Sequence, residues 1–160
     1  MTIICRTPDE LLAALNRLTD EVIEPAVVEA QKQVVEFAFA TWSAGKFTWS
    51  RFQADDVWSG QSRASIRIGI GAPDGSYEPD NPGSWPHHET PYPAPDVFQA
   101  MGRLDGLRAY QTVYLSDSAP HYSRVEQHTQ VGRMAAEFTK SHFTPGYSWG
   151  SSLIASDIPF

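Results

Sequence analysis

The chain has 160 residues, 41% of them apolar, with 12 Lys and Arg against 19 Asp and Glu for a formal charge of -7. That length holds one core, and the apolar content excludes a chain disordered throughout. The acidic balance excludes a dedicated nucleic-acid binder and a protein that docks on anionic lipid, since both need a basic face.

Cys5 is the single cysteine, which excludes an internal disulfide framework and a Cys-cluster zinc site. No apolar run approaches the length of about eighteen residues that a membrane span needs. Met1–Arg6 lacks a basic n-region and a long apolar h-region, so no signal peptide is expected. The chain reads as soluble, acidic and cytosolic.

Residues 7–44 read as helix. Thr7-Pro8-Asp9-Glu10 supplies a capping hydroxyl, a proline at the first helical position and acids at the positive end of the helix dipole. Leu11, Leu12, Leu15, Leu18, Val22 and Ile23 recur at spacings of three and four, which predicts an apolar stripe packed on a sheet. Pro25 predicts a kink, because it lacks an amide hydrogen and clashes with the preceding turn. The pattern resumes with Val27, Val28, Val34, Val35, Phe37 and Ala38, while Glu29, Gln31, Lys32 and Gln33 fill polar positions and Gly45 stops the helix.

An aromatic-rich approach follows, with Phe47, Trp49, Phe52, Val57 and Trp58 around Asp55-Asp56. Ser59-Gly60-Gln61-Ser62 reads as a turn. Ala64, Ile66, Ile68 and Ile70 then alternate with Arg63, Ser65, Arg67 and Gly69, which predicts a half-buried strand over 63–71.

Seven of the twelve prolines fall between positions 73 and 95. That density prevents continuous helix or sheet pairing and predicts a long loop. It carries Tyr77, Trp85 and Tyr92, poor composition for a free linker, so residues 73–95 are expected to reach a neighbouring molecule more than their own core. A short helix over 95–101 closes the loop. A second strand is predicted over 109–115 and a second helix over about 121–142, with Val125, Val131, Met134, Ala135 and Phe138 inward. The last stretch, 145–160, reads as an arm that carries Trp149 as a candidate interface residue.

The candidate chemistry is thin. His87-His88-Glu89 is the one local cluster with metal-ligand character, but adjacent histidines in an extended segment point to opposite sides. His121, His128 and His142 are further possible ligands that the sequence does not bring together. Asp55-Asp56 reads as a turn or cap, not as a general acid and base. Cys5 has no base beside it, and Gly69-Ile70-Gly71 lacks the later glycine and following helix of a phosphate loop. No catalytic residue, metal or cofactor is assigned. A small metal-dependent hydrolase using the 87–89 region stands as the reading from another class.

Two stretches stand out together: Val57-Trp58-Ser59-Gly60-Gln61-Ser62-Arg63-Ala64-Ser65-Ile66, and Ala119-Pro120-His121-Tyr122-Ser123-Arg124-Val125-Glu126-Gln127-His128-Thr129. They resemble the neck and tail-completion proteins of long-tailed phages, the group that includes the lambda minor tail protein Z. In that family a long N-terminal helix precedes Val-Asp-Thr-Gly-x-Leu-Arg-x-Ser-Ile, and a later strand leads into Ala-x-Tyr-Ala-x-x-Val-Glu-x-Gly-Thr. Val57, Ser59, Gly60, Arg63, Ser65 and Ile66 fit the first pattern; Tyr122, Val125, Glu126 and Thr129 fit the second. Trp58, Ser62 and His128 depart from it, and His128 in place of glycine predicts that the last helix runs on where the family turns.

The residues predict an α+β fold: a long N-terminal helix, kinked near Pro25, packed on a small, mainly antiparallel sheet. A proline-rich long loop and a second helix near 121–142 complete a single domain spanning 1–160. The resemblance implies a structural virion protein, not an enzyme. It would form a homo-oligomeric ring, a hexamer, at the head–tail joint, completing the tail tube and letting DNA pass without specific binding. Its partners would be tail tube or tail terminator and neck or connector proteins, with no membrane. It would be assembled in the host cytoplasm. A head-closure or adaptor subunit of the neck is the near alternative. Tyr77, Trp85, Tyr92 and Trp149 are the expected subunit-interface residues, and Ser59, Gly60, Arg63, Ser65, Ile66, Tyr122, Val125, Glu126 and Thr129 the structural motif residues.

Overall fold

A computed structural model of the protein describes residues 7–45, 60–79 and 92–143. Ser59, Trp85, Trp149, Asp55-Asp56, His87-His88-Glu89 and the 145–160 arm lie outside the described residues. The element order is α1 (Pro8–Leu18), a π-helical turn (Thr19–Ile23), α2 (Glu24–Ser43), α3 (Gln61–Ala64), β1 (Ile66–Ile70), α4 (Val97–Met101), a 3-10 turn (Gly102–Leu104), β2 (Val113–Asp117), α5 (Tyr122–Thr129) and α6 (Val131–Phe143). The architecture is α+β, with a long N-terminal helical run, a small antiparallel sheet and further helices.

The first helix starts as its sequence dictates: the Glu10 amide donates to the Thr7 hydroxyl at 3.2 Å, with Pro8 in the first turn. The irregularity expected at Pro25 takes the form of a widened turn just before it. There the Glu24 amide donates to the Thr19 carbonyl five residues back. Proline offers no hydrogen to the carbonyl four residues earlier and its ring crowds that oxygen, so the ladder adjusts upstream of it.

Burial begins only in α2. Gln31, Val35, Ala38, Phe39 and Trp42 form its inner face, whereas neither α1 nor the π turn has a buried residue. The stripe of Leu11, Leu12, Leu15, Leu18, Val22 and Ile23 therefore does not pack on the sheet, contrary to the pattern-based expectation. The reason is length. A 36-residue helical run extends roughly 54 Å at its usual rise, whereas a five-residue strand reaches only about 17 Å.

Strands β1 and β2 pair antiparallel with Ile68 opposite Leu115. Ile66 and Ile68 are buried and Ile70 packs at the edge of the same core, together with Val35, Phe39, Trp42, Leu104, Leu107, Tyr122, Val125 and Val131. Both strands start later than their sequence patterns predict. Residues 61–64 form a helical turn, and β2 begins at Val113 because Gln31 holds the chain before it. The buried Gln31 amide accepts from the Tyr110 N–H at 3.1 Å and donates to the Gln111 carbonyl at 2.8 Å, with Tyr110 at φ 65°. Gln31 thus fixes a turn from inside the fold and is not a surface position.

The predicted 121–142 helix is two helices. Gln130 adopts φ 51° between α5 and α6, and its amide bonds the Glu126 carbonyl at 2.8 Å. The chain turns here after all, two residues beyond His128. Of the five inward positions predicted for this region, Val125, Val131 and Ala135 are buried, whereas Met134 and Phe138 are exposed.

Candidate functional site

The first motif builds a clasp between α3 and the loop that follows β1. Gly60, at φ 84°, turns the chain into α3 through a backbone conformation that side chains with a Cβ rarely adopt. The Ser65 hydroxyl donates to the Gln61 carbonyl at 2.7 Å and accepts from the Glu78 amide at 3.0 Å. The Gln61 side chain donates to the Glu78 carbonyl at 2.8 Å. Arg67 completes the clasp, with one guanidinium nitrogen on the Ala64 carbonyl at 2.6 Å and the other on the Glu78 carboxylate at 2.7 Å. The Ser116 hydroxyl donates to the Asp74 carbonyl at 2.8 Å. The start of the proline-rich loop, residues 74–78, is thus tied to its own sheet and to α3.

The far end of that loop returns to the same place. Tyr92 is half-buried and its hydroxyl donates to the Pro79 carbonyl, while the Tyr92 carbonyl lies beside Gly60. Tyr77 is largely exposed. Of the two expected interface residues that are described, then, Tyr92 closes the base of the loop and Tyr77 is 44% exposed.

Ser62 and Asp117 join the first motif to the second. The Ser62 hydroxyl donates to the Asp117 carboxyl at 2.5 Å, and the Ala119 amide donates to the other oxygen at 3.0 Å. Burial pushes the Asp117 carboxyl up to about 6, against the pull of those two hydrogen bonds and of Arg67. Ser62 is only 3% exposed and its hydroxyl is already engaged, so a substrate has no path to it as a nucleophile. The Arg63 Nε is buried and meets no acceptor among the described residues.

The second motif is a helix junction. The Glu126 carboxylate accepts from the Tyr122 hydroxyl at 3.0 Å, from the Gly132 amide at 3.0 Å and from the Arg133 amide at 2.9 Å. It satisfies orphan donors at the start of α6 from one turn back in α5, where a negative charge also complements the helix dipole. Burial and the neighbouring Glu126 raise the Tyr122 phenol far above its ordinary value, so it remains a donor. The Thr129 hydroxyl returns to the Val125 carbonyl at 2.9 Å, and Val125 is buried in the core.

Arg124 and Arg133 carry no ion pair among the described residues, because Glu126 is occupied with the helix start. His142 stacks on Phe37 with ring centres 4.3 Å apart, and no three of His, Cys, Asp and Glu group as metal ligands among the described residues. Asp117, Gly132 and Gln31 escaped the pattern reading. The Tyr122–Glu126 spacing of four residues was the one local signal that pointed towards this junction.

Among the described residues, the side chains left outside these networks include a large apolar surface. Leu11, Leu12, Leu15, Leu18, Val22 and Ile23 are each between 39% and 59% exposed, and the main contact of α1 among the described residues is the helical segment that continues it. Met134 and Phe138 form a second exposed apolar pair, one turn apart on α6. No family model, no curated protein and no solved structure matches the chain.

Proposed function

We propose that the protein is a structural subunit of a tailed-phage virion, one copy of a homo-oligomeric ring at the head–tail joint that completes the tail tube and leaves a channel for DNA. The observation that carries this reading is a division of roles among the side chains. Ser65, Glu126 and Thr129 are engaged in holding backbone and the Tyr122 hydroxyl in holding Glu126, whereas six large apolar side chains of the N-terminal helix stand outside the core. Groups locked into scaffold geometry do no chemistry, and an uncovered apolar face of this extent marks an interaction site. The acidic balance suits a conduit that repels phosphates.

Native mass spectrometry and negative-stain electron microscopy of the purified protein test the reading. The expected result is a closed ring with a central channel, six subunits by the resemblance, and no gel shift of duplex DNA at physiological salt. A protein that stays monomeric at every concentration, or that grips duplex DNA in a salt-sensitive way, overturns it.

A further inference from the structure

We propose that subunits join head to tail, with the apolar face of α1 in one copy seated on the exposed face of α6, around Met134 and Phe138, in the next. This rests on the reading of the protein as a ring subunit and names the surfaces that would close the ring.

The α1 face needs a cover. The sixteen residues from Pro8 to Ile23 continue α2 but bury none of their own side chains in the core, whereas most helical stability in proteins comes from burying an apolar side. Six side chains exposed as these are present on the order of 500 Å², comparable to the largest patches found on soluble monomers. A stable interface takes about 800 Å² from each partner, so this face with its flanks is of the right size.

The chain's own α6 cannot supply the cover. Val131, at its start, lies beside Gly45 at the end of α2, while Phe138, His142 and Phe143 meet Phe37. Helix α6 therefore runs antiparallel along the second half of α2 and ends near Phe37. Ile23, the nearest stripe residue, lies fourteen positions earlier, which is roughly 20 Å along the helix.

Charge selects α6 of a second copy over a second α1. Residues 9–24 carry Asp9, Glu10, Asp20, Glu21 and Glu24 against Arg17 alone. Pairing α1 with α1 would set those acids against one another. Helices α5 and α6 have the opposite balance: their exposed charged residues include Arg124 and Arg133, neither in an ion pair among the described residues, with Glu137 as the one exposed acid, since Glu126 is buried. The lengths also agree. The stripe from Leu11 to Ile23 spans about 18 Å and the thirteen residues of α6 about 20 Å. An interface between two different faces of one chain is heterologous, the kind that generates rings.

The test uses the full chain and two variants made at exposed positions with a good helix former. One is Leu15→Gln with Leu18→Gln; the other is Met134→Glu, which leaves the Phe138 stack on Phe37 in place. Each should keep the parent's circular dichroism and raise the concentration for half-assembly by roughly tenfold or more. Mixed together, they should form heterodimers and stop, because only one intact α1 face and one intact α6 face remain to meet. Arg133→Glu gives a variant that leaves the apolar contacts in place; it should weaken assembly, and Glu21→Arg added to it should restore part of the loss. If the parent forms rings and all these variants do so equally well, this interface is wrong and the ring reading stands. If the parent stays monomeric, both fall. If the parent is a dimer lost in the α1 variant and kept in the α6 variant, the helices pair with their own kind and the head-to-tail arrangement is overturned.

Discussion

A Cβ on Gly132 would overlap the hydroxyl of Tyr122, and it would press on the Trp42 ring at 3.3 Å and a Glu126 carboxylate oxygen at 3.4 Å. Helices α2, α5 and α6 meet at this one position, and the space is closed from three sides. Gly132→Ala should therefore destabilise the fold by about 1–3 kcal/mol through overpacking, even though alanine is the better helix former by about 1 kcal/mol. Chemical denaturation measures the balance. A variant more stable than the parent would mean that the three helices do not approach this closely.

Glu126 is the residue through which that junction holds. Glu126→Ala leaves the Tyr122 hydroxyl and the amides of Gly132 and Arg133 without their acceptor. Losing a helix cap costs about 1–2 kcal/mol, and an orphaned buried donor adds about 1–3 kcal/mol. Glu126→Gln keeps one acceptor oxygen but turns an NH₂ group towards the helix amides, so it should fall between alanine and the parent. Equal stability of all three proteins in urea would remove the cap from the account.

Ile68 sits at the centre of the sheet, opposite Leu115 and buried in the core that also holds Val35, Phe39 and Trp42 of α2. Ile68→Asp places an unpaired charge there and should cost on the order of 3–5 kcal/mol, enough to unfold much of the population of a marginally stable domain. The same exchange at Leu15, exposed on α1 of the single subunit, should leave the melting temperature within a few degrees of the parent when both are measured at dilutions below assembly. Similar losses at both sites would contradict the burial that separates them.

The strand at 66–70 was legible because three isoleucines alternate there with polar residues and glycine, a pattern only a half-buried strand satisfies. The cap at Thr7 was legible for a like reason, since its partners lie within three residues. The α1 stripe misled: periodicity shows which side chains share a face and is silent on what covers the face. The break at Gln130 was hidden because its cause is a carboxylate four residues earlier bonding amides after the turn. Gln31 and Asp117 were missed because Tyr110 and Gln111, which bond the first, and Ser62, which bonds the second, lie 55 or more residues away along the chain, beyond any local pattern. The joining of the loop ends at Pro79 and Tyr92 is likewise a product of tertiary closure.

Asp117 gives the fold a pH dependence opposite to that of an ordinary paired carboxylate. Burial raises its carboxyl from 3.8 to about 6, so between those values the folded chain holds a proton that the unfolded chain has released. Stability from this group is complete below pH ~4 and is lost as pH rises through ~6, because the folded state must then bury a charge. The shift of roughly two units sets a ceiling of about 3 kcal/mol on the effect. Asp74 acts the other way: hydrogen bonds from Ser76 hold its carboxyl below the ordinary value, so its contribution is present above pH ~4 and fades on further acidification. Comparison with Asp117→Asn separates the two, since asparagine can still accept from Ser62 or Ala119 but never ionises. Urea midpoints of the parent should fall between pH 4 and pH 7, and those of Asp117→Asn should fall less, so that the two curves converge or cross on the alkaline side. A parent whose stability rises over that interval as steeply as the variant's would show that the Asp117 carboxyl is not held in its protonated form.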